Sequence, residues 1–280
     1  MPITPPSSDA PPRFDPVFLT EEDLEDLVTF FGTSRESCLE RLRSYSPREM
    51  SEAWRQASPR TPDEILGFYR KADLYIWELM QWHASPARIP CWQALTRLAD
   101  RYPPSAGYRR VYDFGCGVGT DALFLASRGY DVTLADVDGP AFHFAQHRFR
   151  RRSLPTGFQV SSSPLPEPDG VYDVVVCFDV FEHLPDPLHA ARRLVAALRP
   201  GGLLVQRGAF DDSGDHPCHL HDGVERFGGL RWHIHLTGLG LRRDGSLAYR
   251  KANGSVWLAQ KLRYVVWRCT GFWMSYVRPR

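Results

Sequence analysis

From Tyr108 onward the chain alternates short β-branched runs with helical stretches, and no other feature restricts its fold so strongly. Arg110-Val-Tyr-Asp-Phe114, Asp131-Val-Thr-Leu-Ala135 and Leu203 to Gln206 read as strands, with a weaker one at Phe158 to Ser161. Val171 to Phe178 is the apolar run expected of a central strand buried on both faces. Helices fit between them: Thr120 to Ser127, Gly139-Pro140 through Phe149, and one from Asp186-Pro187 to the Pro200-Gly-Gly stop. Strands alternating with helices argue for parallel β-α-β units in one α/β sheet. Asp222 with Glu225 should cap a further helix, and Asn253-Gly254, between Leu247 to Arg250 and Val256 to Ala259, predicts a closing antiparallel hairpin.

The preceding hundred residues read differently. Thr20 caps a segment with Leu24, Leu27, Val28 and Phe31 at helical spacing, and Gly32 stops it. Thr33 with Glu36 suggests a second capping box. Thr61-Pro-Asp-Glu64 combines cap, first-turn proline and reciprocal acid, so a long helix should start there and carry Phe68, Tyr69, Tyr75, Trp77 and Trp82. These boundaries divide the chain into residues 1–19 (Pro-rich, expected to be disordered), a helical extension at 20–104, an α/β core at 105–263 and an aromatic tail at 264–280.

Composition excludes more than it proposes. The 34 basic and 33 acidic side chains leave a net charge of +1, so no general field gathers nucleic acid or an anionic membrane. Six scattered cysteines contain no C-x-x-C pair, which argues against a zinc knuckle or disulfide framework and fits a reducing, cytoplasmic setting. No run reaches membrane-spanning length, and the N-terminus lacks the basic start and apolar run of a signal peptide.

Between the first strand and its helix lies Asp113-Phe-Gly115-Cys-Gly117-Val-Gly119-Thr, where glycines let the backbone turn tightly and approach a ligand. The G-x-G-x-G spacing suits a nucleoside without a pyrophosphate better than a dinucleotide. Asp136, ending the second strand, can accept from both ribose hydroxyls; alternatively it caps the next helix, a role for which Asp138 is better placed. These segments, with Leu134-Ala-Asp-Val-Asp138, Tyr172 to Asp179, Glu182-His-Leu-Pro-Asp-Pro187 and Leu198-Arg-Pro-Gly-Gly-Leu203, resemble the ordered motifs of class I S-adenosylmethionine-dependent methyltransferases, most of all the ubiquinone-biosynthesis and small-molecule branch.

The resemblance implies a Rossmann-like, seven-stranded, mostly parallel sheet and S-adenosylmethionine as cofactor. Gly115, Cys116, Gly117 and Gly119 would pack against its methionine and ribose, and Asp113 would organise its amino group. Asp136 and Val137 would hold the ribose, while Phe178 and Asp179 would meet the methionine end. The family's adenine-binding acid is replaced by Ser161-Ser162-Ser163, so Ser161 and Ser162 are the candidates there. The expected reaction is methyl transfer to O or N of a small molecule, with secondary metabolism as the expected setting; a non-catalytic S-adenosylmethionine-binding regulator is the alternative. A nucleobase amine as acceptor is disfavoured, because Asp179-Val-Phe-Glu182 replaces the motif of those enzymes.

Candidate bases are His183, at the mouth of the fourth strand, and His219, with His216 as a substrate contact, all at the sheet end where α/β folds bind ligands. The H-x-x-H-x-H run of His216, His219 and His221 invites a metal reading, but loop histidines more often bond to backbone or water, so no metal is expected. Tyr69, Tyr75 and Trp82 are candidates for an acceptor wall, although at helical spacing most such aromatics serve as core. The tail could meet a second subunit, making a homodimer conceivable.

Overall fold

The computed structural model describes residues 19–210, 218–253 and 265. Residues 1–18 and most of the tail at 264–280 lie outside these, and with them the expectations of N-terminal disorder and of a dimer contact through the tail.

Among the described residues six α-helices precede the sheet: α1 (Glu21–Phe31), α2 (Arg35–Ser44), α3 (Pro47–Ala57), α4 (Pro62–Tyr69), α5 (Leu74–His83) and α6 (Ile89–Arg101). The core then runs β1 (Arg110–Phe114), α7 (Thr120–Ser127), β2 (Asp131–Val137), α8 (Pro140–Arg151), β3 (Gly157–Ser161), β4 (Tyr172–Phe178), α9 (Pro187–Ala197) and β5 (Leu198–Arg207). It closes with α10 (His221–Phe227), α11 (Leu230–Gly238), β6 (Leu241–Arg243) and β7 (Ala248–Lys251). The seven strands lie in the order β3-β2-β1-β4-β5-β7-β6. The first five are parallel, and β7 is antiparallel to both β5 and β6.

Alternation along β4 explains why the sheet is covered on both sides. Val174 and Val176 join the cluster under α6, α7 and α8, whereas Val175 and Cys177 join the one under α9 and α11. Strand order reverses between β1 and β4, which leaves a crevice beyond their carboxyl ends, the place where open α/β sheets bind ligands. A third cluster packs Leu24, Leu27, Leu42, Ile76 and Met80 of the preceding helices onto Val118 and Phe144 of the core.

Local chemistry accounts for the departures from expectation. The Thr20 capping box and left-handed Gly32 occur as read, but the next helix starts on Ser34, whose hydroxyl accepts from the Ser37 amide, because Thr33 is still tied back to Val28. The Thr61-Glu64 box forms, yet its helix stops at Tyr69 and a separate α5 begins after Asp73, whose carboxylate accepts from the Leu74 amide; a side chain that caps locally competes with helix continuation. Asp222 is not the N-cap of α10, which is Leu220 with no side-chain cap. Asp138 does not cap α8 either: Gly139 occupies that position, and Asp138 pairs with His143 at 2.7 Å. The hairpin uses Leu241–Arg243 and Ala248–Lys251 around Asp244-Gly245, because β7 gains a second partner in β5. Val256 to Ala259 lies outside the described residues.

Candidate active site

The glycine turn after β1 is built without room for side chains. Gly115, Gly117 and Gly119 have φ of +69°, +52° and +72°, the left-handed region that costs other residues about 1–2 kcal/mol. A Cβ on Gly115 would lie 2.3 Å from Val180 Cγ2, and one on Gly117 2.6 Å from Leu79 Cδ1. The turn is pinned to β2: the Gly115 amide donates to Ala135 O at 2.8 Å, and the Gly117 amide to Asp136 Oδ2 at 2.6 Å. Asp136 Oδ1 accepts from the Val137 amide at 2.7 Å. Burial pushes the Asp136 carboxyl up to about 6 despite these two bonds.

A cavity of about 390 Å³ opens at this turn. Of the residues expected at a cofactor, Gly115, Cys116, Gly117, Asp136, Val137, Ser161, Phe178 and Asp179 line it. Asp113 is buried immediately behind the turn, Gly119 serves as the N-cap residue of α7, and Ser163 with Pro164, rather than Ser162, completes the wall next to Ser161. From the opposite side α4 and α5 bring Tyr69, Tyr75 and Trp82, so three aromatics face the cavity where core packing was the commoner expectation. Trp77 and Phe68 of that series pack away, Trp77 stacked on Phe31 with ring centroids 4.7 Å apart and Phe68 edge-on to Trp54 at 5.0 Å.

The floor carries a charge network that the sequence concealed. Arg88, 2% exposed, pairs with Asp121 and with Asp179 Oδ2 at 3.2 Å. Arg207 Nε donates to Asp179 Oδ1 at 2.6 Å, and Trp82 Nε1 to Asp179 Oδ2 at 3.3 Å. Asp179 is thereby held at a left-handed φ of +55°. Among the described residues three carboxylate oxygens are buried without a hydrogen-bond partner: Asp113 Oδ2 and Asp121 Oδ1 in this network, and Glu182 Oε2 on the wall. Burial, and then the neighbouring Asp121, hold the Asp113 carboxyl well above the usual carboxylate range. A buried acceptor without a donor is costly, and Arg88 already pairs with Asp121 through that residue's other oxygen.

His183 and His219 meet with ring centroids 5.0 Å apart. His183 Nδ1 lies 3.1 Å from Cys218 O and 3.2 Å from the Tyr69 hydroxyl; a carbonyl only accepts, so Nδ1 carries the proton and Nε2 is the basic nitrogen. The histidine cluster differs from the one suggested by the loop spacing: His219 joins Glu182 and His183, with side-chain atoms within 4.8 Å of one another, while His216 lies outside the described residues.

Sequence reasoning missed Arg88, Asp121, Arg207, Glu78, Glu182, His83 and Cys218 in the wall. Asp121 was visible only as an acid in a helix's first turn, and Arg88 as one residue of a Ser-Pro-Ala-Arg turn. Their pairing depends on long-range packing that no local pattern encodes.

Comparison with known proteins agrees with this geometry. The family described as "Methyltransferase domain" matches residues 112–204. The ubiquinone biosynthesis O-methyltransferase of Bordetella avium (strain 197N) is 36% identical over 100 residues, 34% of this chain and 40% of that protein; its counterpart in Vibrio parahaemolyticus is 35% identical, covering 34% and 41%. The chain thus spans about 40% of the length of these curated relatives. Among solved structures, the N-methyltransferase NodS from Bradyrhizobium japonicum WM9 in complex with S-adenosyl-L-homocysteine is 21% identical, covers 60% of this chain and 89% of its own, and superposes with a TM-score of 0.45. The matched segment runs from β1 into β5 and contains the strands that meet at the crevice, so across residues 112–204 this chain is similar to the family described as "Methyltransferase domain".

Proposed function

We propose that this protein transfers the methyl group of S-adenosylmethionine to an oxygen or nitrogen of a small molecule. The observation that carries the reading is the pair of orphaned, buried carboxylate oxygens of Asp113 and Asp121 beside a glycine turn whose other flank is Asp136. One side suits an ammonium group and the other a ribose diol, which are the two ends of a nucleoside joined to an amino acid through sulfur.

In this assignment Asp113, with Asp121 behind Arg88, receives the amino group. The Gly115-Cys116-Gly117 turn packs along the chain of the ligand, and Gly119 fixes the entry into α7. Asp136 and Val137 take the ribose, Ser161 and Ser162 the adenine edge, and Phe178 with Asp179 the methionine end. When bound, the cofactor supplies a methyl group already activated on a sulfonium, so the protein mainly has to align the acceptor and remove its proton. His183 and His219 are the candidate bases. Tyr69, Tyr75 and Trp82, on the helical lid of residues 20–104, form the acceptor wall and exclude water.

A cytoplasmic enzyme, in secondary metabolism, is the setting we attach to this reading; among the described residues no helix is long and apolar enough to cross a membrane. The alternative of a non-catalytic regulator keeps one point in its favour, the serines at 161–163 in place of an adenine-binding acid. Incubation of the full chain with S-adenosylmethionine and a panel of alcohols, phenols and amines separates the two: acceptor-dependent S-adenosylhomocysteine is the expected result. Tight cofactor binding with no turnover on any acceptor would favour the regulator.

A further inference from the structure

Assignment of the cofactor leaves two acidic side chains in the cavity wall without a role. Glu78 of α5 faces the cavity beside Tyr69, Tyr75 and Trp82. Its Oε2 accepts from the Tyr45 hydroxyl at 2.7 Å, and among the described residues no cationic side chain pairs with it. Glu182 stands on the adjoining wall, 1% exposed. Its Oε1 accepts from the Ala209 amide at 3.1 Å, and its Oε2 is buried with no hydrogen-bond partner. Tyr69, Tyr75, Glu78 and Glu182 all line the same cavity. The remaining acids of the wall are differently placed: Asp121 and Asp179 are paired with arginine, and Asp136 is held by two backbone amides.

Glu78, with no countercharge, and Glu182, which has His183 and His219 within 4.8 Å, share a wall with tyrosine and tryptophan rings and together form a site for a cation. A buried carboxylate is costly until a positive partner arrives, and aromatic faces add to the attraction. A neutral alcohol or phenol supplies neither term. We propose, resting on the methyltransferase reading, that the acceptor is a primary or secondary amine, bound as its ammonium ion against Glu78 and Glu182, with Glu78, rather than His183 or His219, as the group that takes its proton.

The proton passes from the ammonium nitrogen to a Glu78 oxygen, which frees the nitrogen lone pair. That lone pair forms the new N–C bond as the sulfonium C–S bond breaks, and the electron pair of the broken bond stays on sulfur. Glu78 later returns its proton to solvent, and the product leaves as the N-methylated ammonium ion. Burial, moderated by the Tyr45 hydroxyl, pushes the Glu78 carboxyl up to about 7, which suits a group that must accept a proton and release it.

The test is calorimetric titration of the full chain, saturated with S-adenosylhomocysteine, with matched pairs of one shape: benzylamine and benzyl alcohol, tryptamine and tryptophol, tyramine and tyrosol. The expected result is amine binding at least about tenfold tighter than that of the paired alcohol, with the preference abolished in Glu78→Gln. The wild-type comparison stands without the variant. S-adenosylhomocysteine binding with equal affinity for alcohols, with no amine bound, or with the preference intact in E78Q, overturns the amine assignment alone. Failure to bind S-adenosylhomocysteine overturns the methyltransferase reading as well.

Discussion

Asp136 spends one oxygen on the Gly117 amide and the other on its own neighbour Val137, so it shapes the turn and faces the cavity at the same time. Removing the carboxylate in Asp136→Ala should weaken S-adenosylmethionine binding by more than about tenfold, the order of losing a charge-assisted pair of hydrogen bonds; unchanged affinity in a folded variant would mean the ribose is placed wrongly. Protonation should do the same reversibly. With the carboxyl raised to about 6, affinity should hold above about pH 7 and fall as pH drops through that value, and Asp136→Asn should remove this step. The sign for stability is opposite. A carboxyl raised on folding favours the protonated native state, so its contribution is fully present below its unfolded value and lost as pH rises from there through about 6. The glycines make a graded prediction in the same titration. Gly115→Ala meets the β-branched Val180 side chain at 2.3 Å and should abolish measurable binding, whereas Gly117→Ala meets only the flexible tip of Leu79 and should cost less.

Helices α1 and α8 are joined by charge rather than by apolar contact alone. Arg148, with no exposed surface, donates from Nε to Asp26 at 3.0 Å and also pairs with Asp23. Arg151 and Arg152 close on Asp26 at 2.5 Å each. Arg148 Nη1 also donates to Val118 O and Thr120 Oγ1, at 2.7 and 2.8 Å, so the extension is wired into the glycine turn. Asp26→Ala removes the partner shared by three arginines and should destabilise the fold by about 3 kcal/mol, read as a lowered urea midpoint. A shift below about 0.5 kcal/mol would show that the cluster is no stronger than a surface pair. This wiring was not legible in the sequence, because Asp26 sits in a run of helix acids and Arg148 in a run of helix basics, each of which reads alone as a solvated face. Strand identities, the helix after the glycine turn and the Thr20 and Thr61 caps were legible, since period and capping are local. The hairpin was misplaced because two Gly-containing turns competed and only sheet pairing could choose between them.

At the scale of the molecule, the sheet supplies the end of the cavity at the glycine turn, which we assign to the cofactor, and the preceding helices supply most of the opposite wall, which we assign to the acceptor. The residues of the turn could be read as cavity-lining in advance because a fold with a switch point places them at fixed positions. Glu78 and Glu182 could not, since they come to line one cavity only when α5 and the segment after β4 are brought together by long-range packing. That this cavity takes a nucleoside joined to an amino acid through sulfur is tested most directly by calorimetric titration of the purified chain with S-adenosylmethionine, S-adenosylhomocysteine and NAD. Micromolar binding of the first two, with none of NAD, is the predicted result; no binding of either, or a preference for NAD, would contradict it.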